Sequence, residues 1–240
     1  MNRNSLRKSS FDPTEYADLL FGVGSATSAG PSLPCGSIHP SPETLEKDCG
    51  GYLRDQPIIG FDQAFVSGSG GVKCYGNFLL APCVDKVELD HTKRAAFAVA
   101  GSEIAHCYEY SVLLENGIGA RLTPAHNSAI YTFEYPKGKK ASLIIDVAHK
   151  LDIDAAMRYG SVTIDAKAGR VWGGGRFFGN WSGFEWDMFF ALEFDTDAEE
   201  IGFFEGDELQ PLDKDTSATH TIDTEKRFGA YAVFHDAPAS

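Results

Sequence analysis

Glu185 and Asp187 are the closest this sequence comes to a pair of catalytic carboxylates. Two such groups could flank a glycosidic bond, one as acid and the other as base or nucleophile. Phe184, Trp186 and Met188 alternate with them, so the same spacing also describes the solvent side of a half-buried strand. Asp213 and Asp215 lack the glycine turn and later glutamate of a calcium loop and read as solvated charges. The seven histidines, at 39, 91, 106, 126, 149, 220 and 235, include no pair at metal-ligand spacing. Gly68-Ser69-Gly70-Gly71-Val72-Lys73 lacks the Walker spacing, and neither it nor Gly22-Val23-Gly24 is a dinucleotide fingerprint. No catalytic residue and no metal ligand is therefore expected from the residues alone.

A stronger signal comes from residues 48–82, which hold seven glycines in 35 positions, with pairs at Gly50-Gly51 and Gly70-Gly71. Glycine at that density allows positive φ and close approach of the backbone to a ligand or another chain. Tyr52, Phe61, Phe65 and Tyr75 alternate there with Asp62, Ser67 and Ser69, a composition suited to a polar ligand such as a sugar. A glycine-rich connection between two sheets has the same composition. A second aromatic and glycine cluster, Trp172-Gly173-Gly174-Gly175-Arg176 with Gly179-Asn180-Trp181, fits either a pyranose-stacking surface or a sheet bend.

The elements that would hold these residues are mostly strands. Short apolar or alternating runs are expected at 78–81, 84–89, 104–114, 118–123, 130–135, 142–147, 158–165, 170–178, 186–194, 200–204, 219–223 and 229–235. Asn116-Gly117 predicts a type I′ hairpin, and Lys167-Ala168-Gly169 predicts another turn. Asp12-Pro13-Thr14-Glu15 reads as a helix start before Tyr16, Leu19 and Leu20. Glycine and proline break up residues 22–42, leaving room for one short strand near 35–39. Short strands with turns every 8 to 12 residues predict an all-β fold of two packed antiparallel sheets with few short helices.

The chain has 240 residues, 43% of them hydrophobic, and suits one large β-domain after a disordered tail over residues 1–15. Its net charge of -13 disfavours nucleic acid and anionic membrane as partners. The five cysteines, Cys35, Cys49, Cys74, Cys83 and Cys107, are odd in number and lack C-x-x-C spacing, which fits reduced thiols in the cytoplasm. No apolar run approaches the ~20 residues of a membrane span, and no apolar segment of a signal peptide follows the N-terminus.

The order of segments resembles the N-terminal β-sandwich domain of glycoside hydrolase family 92, the calcium-dependent, inverting exo-α-mannosidases. The matching pieces are Leu33-Pro34-Cys35-Gly36, Ser41-Pro42-Glu43-Thr44, Gly51-Tyr52, Ile59-Gly60-Phe61, Ser67-Gly68-Ser69-Gly70, Tyr75-Gly76-Asn77 with Leu79-Leu80-Ala81-Pro82, Tyr131-Thr132-Phe133, Ile145-Asp146-Val147-Ala148-His149, and Gly173-Gly174-Gly175-Arg176 leading to Phe189-Phe190. The resemblance implies a galactose-mutarotase-like supersandwich over residues 16–240, with a first strand at 16–22 in place of the helical turn. It also implies a pocket wall made by Cys49, Gly50, Gly51 and Tyr52, with Ser67, Gly68 and Ser69 as a second group.

Such enzymes draw their acid, base and most calcium ligands from a C-terminal (α/α)₆ barrel. The resemblance thus makes a mannose-containing glycan and that barrel the expected partners, with no calcium ligand in this chain and no catalysis by it alone. Two departures bear on the substrate. Asp48-Cys49-Gly50 stands where mannose-specific members often carry a Trp-Ser or Trp-Cys pair, and Asp62, Gln63, Ala64 and Phe65 stand where the family has histidines. The rival expectation is a stand-alone carbohydrate-binding or interaction module that stacks sugar on Trp172, Trp181 or Tyr52. Should the chain act alone, Glu185, Asp187 and Asp146 are the carboxylates to examine.

Overall fold

The computed structural model describes residues 18–24, 27–47, 50–63, 76–149, 155–179, 183–223 and 226–235. In chain order the elements are β1 (Ser41–Thr44), β2 (Ile58–Asp62), β3 (Leu79–Val84), α1 (His91–Arg94), β4 (Ile104–His106), β5 (Glu109–Leu113), β6 (Gly119–Pro124), β7 (Ala129–Glu134), β8 (Ala141–Asp146), β9 (Ala155–Asp165), β10 (Arg170–Gly179), β11 (Glu185–Glu193), β12 (Ala198–Glu205), β13 (Glu208–Pro211), β14 (Ser217–Ile222) and β15 (Phe228–Phe234). Every pairing between them is antiparallel. They form a seven-stranded sheet in the order β1-β2-β3-β8-β15-β12-β13 and two four-stranded sheets, β11-β10-β9-β14 and β4-β5-β6-β7.

Both four-stranded sheets pack on one face of the long sheet. Leu80, Ile145, Ala230 and Phe203 meet Val162, Val171, Phe177 and Phe190 from the β9–β11 side. Phe61 meets Tyr110, Val112, Ala120 and Leu122 of the other small sheet. Tyr131 and Phe133 of β7 touch both clusters and join them into one core. On the opposite face of the long sheet, Ala81, Cys83, Ile144 and Phe204 are capped by Leu89. The buried Arg94 fastens that cap, donating from Nε to the Ile59 carbonyl (3.0 Å) and from Nη1 to that of Leu89 (2.8 Å). β8 is consequently buried along its whole length and reads ASLIID rather than as an alternation.

The two hairpin signals are found, with one change of geometry. Gly169 closes β9–β10 at φ 61°, helped by the Ala168 amide donating to Asp165 Oδ1 at 3.0 Å. Between β5 and β6 only Gly117 has positive φ, at 88°, so the turn is not type I′. Asn116 instead accepts the Ile118 amide on its side chain, the local bond that Asn offers in turns.

Other expectations shift. The run at 104–114 is two strands, because Cys107 and Tyr108 turn outward and exposed between β4 and β5. Residues 85–89 form the cap, not a strand, and the short strand expected near 35–39 lies at Ser41–Thr44. Residues 18–22 form a turn in which the Phe21 amide donates to the Asp18 carbonyl, so that part of the implied first strand is corrected. The tail expected over residues 1–15 and the helix start at 12–15 fall outside the described residues.

Candidate functional site

One end of the long sheet is polar and buried. β2 and β8 finish there with Asp62 and Asp146, while β3 and β15 begin there. Asp62 pairs in register with Ser41, and Asp146 with both Leu79 and Gly229, so the two acids stand on one face of the sheet. That is the face opposite the Phe61–Leu80–Ile145–Ala230 row that packs in the core. Glu43, two residues beyond Ser41 on β1, shares the polar face.

The acids are held in different ways. Glu43 is fully buried; its Oε2 lies 2.7 Å from His149 Nε2, and Lys47 donates to its Oε1. Burial opposes its charge, yet the pull of His149 and Lys47 prevails and holds the Glu43 carboxyl below the usual range. Asp146 takes Arg227 Nε at 3.2 Å and Nη2 at 3.1 Å on its Oδ2. Asp62 has no cation to hold it: among the described residues no donor reaches either of its buried carboxylate oxygens, and its hydrogen bond is the one that its own carboxyl proton makes to Glu43. Burial and then the neighbouring Glu43 charge push the Asp62 carboxyl well above the usual range. The ligand atoms of Glu43, Asp62 and His149 all lie within 4.8 Å of one another, the one such group able to hold a metal ion among the described residues.

The predicted wall residues adjoin this cluster through Thr44. The Thr44 amide donates to the Gly51 carbonyl at 2.9 Å, and Thr44 Oγ1 accepts the Leu53 amide at 2.9 Å. Gly51 has φ 78°, and a Cβ on Gly50 would stand 2.7 Å from the Thr27 carbonyl carbon, so both positions need glycine. Tyr52 is buried, and its hydroxyl donates to Glu103 at 2.8 Å, a carboxylate it shares with Tyr110. Its ring is therefore a core contact and not a stacking surface. Cys49, Ser67, Gly68 and Ser69 lie outside the described residues, as does Trp181.

The other candidate carboxylates are elsewhere. Glu185 and Asp187 lie on the exposed face of β11, where Arg158 stands 3.4 Å from Glu185 and Arg176 forms a bidentate pair with Asp187 at 2.8 and 2.7 Å. The Arg176 hydrogen bonds hold the Asp187 carboxyl below its ordinary range, the opposite of what a general acid needs. Trp172, on the same face, is 40% exposed.

Reading for histidine pairs misses the Glu43–Asp62–His149 group, since Glu43 and His149 are 106 positions apart. The signal that was present is Asp62 itself, a carboxylate at the end of a strand in place of the residues the family resemblance leads one to expect.

The fold and site define a class: a two-layer antiparallel β-sandwich with a polar, loop-bearing end. Residues 16–240 match the family described as Glycosyl hydrolase family 92 N-terminal domain, and the chain belongs to that family. A family GH92 inverting mannosidase from Bacteroides thetaiotaomicron superposes with a TM-score of 0.73 at 23% identity, over 97% of this chain and 30% of its own. A family GH92 α-mannosidase from the same bacterium, solved with mannoimidazole, gives 0.73 at 22% identity, over 92% of this chain and 32% of its own. An uncharacterized secreted glycosidase from Arthroderma benhamiae is 27% identical over 210 residues, 80% of this chain and 27% of that protein. The chain thus spans about a third or less of the length of the relatives it matches.

Proposed function

We propose that this domain forms one wall of an α-mannoside pocket, completed by a C-terminal (α/α)₆ barrel that brings the acid, the base and the calcium ligands. The observation that carries the reading is the tethering of Gly50-Gly51-Tyr52, through Thr44, to the buried polar end of the long sheet. Main-chain groups and small residues at that place suit a sugar's hydroxyls better than an apolar ligand. The Glu43–Asp62–His149 group does not fit calcium, which takes six to eight oxygen ligands and disfavours imidazole nitrogen.

The test is release of mannose from a simple α-mannoside by this chain, alone and mixed with the barrel domain of a family 92 mannosidase, in calcium and in chelator. We expect no release alone and calcium-dependent release from the mixture. Turnover by the chain alone, or a mixture that neither associates nor acts, would overturn the reading.

We also propose a cytoplasmic location, which the free thiols Cys35, Cys83 and Cys107 support. Recovery of the protein outside the cell on fractionation would reject it.

A second reading, a carbohydrate-binding platform, is favoured by the outer face of the β9–β11 sheet. Tyr159 (49% exposed), Trp172 and Phe189 (79%) share that face with Ser161, Thr163, Thr219 and Thr221. A groove of roughly 620 Å³ runs between Tyr159, Ser161, Phe189 and Thr221. Of the stacking candidates Trp172, Trp181 and Tyr52, Trp172 is the one that the described residues place on this face, 40% exposed, while Tyr52 is buried.

A further inference from the structure

The polar end of the long sheet holds more buried acceptors than donors. Asp62 Oδ1 and Oδ2, Asn77 Oδ1 and Asp146 Oδ1 are all buried without a hydrogen-bond partner among the described residues. A buried acceptor left unmatched costs about 1–3 kcal/mol, more when charged, and native folds seldom leave several together. A proton on Asp62 would satisfy at most one of the four atoms. A cation bound between Asp62 and Glu43 would do something that a shared proton does not, giving both neighbouring carboxylates a counter-charge.

We propose that Glu43, Asp62 and His149 bind a divalent first-row transition-metal ion, of the zinc or manganese class, inside this domain. The inference does not depend on the barrel or on the sugar-pocket reading. Three arguments support it. The ligand atoms converge within 4.8 Å, and two ligands of one tetrahedral ion stand about 3.3 Å apart, so rotamer adjustments suffice to close the site. The donor set, two carboxylates and one imidazole, is the mixed nitrogen and oxygen set that such ions take and that calcium and magnesium do not favour. The site also has a way in, because the His149 side chain is 12% exposed and Lys47 17%, while Glu43 is sealed beneath them.

Lys47 is part of the design rather than a competitor for every position. It holds Glu43 Oε1, leaving Oε2 turned toward His149. An ion entering between His149 and Asp62 would displace the hydrogen bond from His149 to Glu43 and the proton between Asp62 and Glu43, putting a cation against both carboxylates. Asp146, kept by Arg227, would remain outside the first ring of ligands.

The test is calorimetric titration and thermal unfolding of the chelator-stripped 240-residue chain with Zn²⁺, Mn²⁺ and Ca²⁺. We expect one equivalent of Zn²⁺ or Mn²⁺ to bind and raise Tm, with no Tm shift from Ca²⁺. Asp62→Asn and His149→Gln should each weaken binding at least about tenfold, in proteins whose circular dichroism matches the parent. His149→Gln changes a partly exposed side chain and keeps the test open should the Asp62 variant fail to fold. His235→Asn, far along the sheet and 70% exposed, should bind as the parent does. Absence of stoichiometric Zn²⁺ or Mn²⁺ binding, or equal affinity in the Asp62 and His149 variants, would overturn the proposal.

Discussion

Asp146–Arg227 and Asp187–Arg176 are the same chemical pair placed in two different regions. At the polar end of the long sheet, Asp146 is 2% exposed and spends one oxygen on Arg227, while the other has no partner among the described residues. On the outer face of the β9–β11 sheet, Asp187 and Arg176 are each 39% exposed, form a two-bond fork, and have the Tyr159 ring beneath the guanidinium. The exposed pair has the better geometry, yet water and salt screen it and could replace it. The Asp146 pair has the poorer geometry, and although Arg227 is 33% exposed, the carboxylate itself is sealed from the water that could replace it. Burial, not hydrogen-bond quality, determines which of the two the fold depends on.

The sharpest way to break that comparison is to remove each arginine. Arg227→Met strips the buried Asp146 of its hydrogen-bonded counter-charge, leaving only the longer-range pull of Arg94, and should cost up to about 3–5 kcal/mol. Arg176→Met should cost far less, since Asp187 can return to water. Urea unfolding of both variants reads the difference, and equal losses would mean that the polar end is wetter than its burial indicates.

The same contrast explains what could be read in the sequence. The β9–β11 sheet faces solvent on one side, so its strands alternate, and Lys167-Ala168-Gly169 marks its turn; both were legible. β1 and β2 were not, because SPET and IIGFD are buried on every residue and carry no alternation. β13 was missed for the opposite reason: ELQP is an exposed edge strand of four residues, placed only by its pairing with β12. The split of 104–114 into β4 and β5 was hidden because apolar and aromatic residues continue through the turn. The family's segment order singled out Gly50–Tyr52 as the expected wall, but a cluster gathered from β1, β2 and the stretch just after β8 exists only once those strands are paired.

Glycines give a second, smaller contrast. Gly229 sits opposite Asp146, and a Cβ there would stand 1.9 Å from the Ile145 carbonyl oxygen, a backbone atom that cannot turn aside. Gly183, just before β11, has φ 68° but open space around it. Gly229→Ala should cost about 1–3 kcal/mol through a shift of β15 against β8. Gly183→Ala should cost about 1 kcal/mol, for left-handed backbone alone. Thermal unfolding distinguishes them, and a Gly229→Ala variant as stable as its parent would show that β15 moves freely at the polar end.

The smallest effect is a pH dependence that belongs to the loop holding β1. His39 is partly buried, with Nε2 3.0 Å from Ser28 Oγ and 3.1 Å from the Gly30 carbonyl. Ser41, where β1 starts, accepts the Ala29 and Gly30 amides on its Oγ at 3.1 Å each, so the loop and the strand are tied together. Burial lowers the His39 pKa from 6.5, only partly offset by the Gly30 carbonyl. The unfolded chain therefore binds this proton more readily than the folded one. The contribution of His39 to stability is complete above the unfolded value, begins to fall as pH drops through 6.5, and stops falling below the folded value. One such group has a slope of at most about 1.4 kcal/mol per pH unit, confined to that interval. His39→Asn should flatten the stability profile between those two values and leave it unchanged at pH 8, apart from a constant offset. If the parent and the variant instead lose stability in parallel below pH 6.5, the acid sensitivity lies in another histidine, and the loop that carries β1 is not the element that titrates.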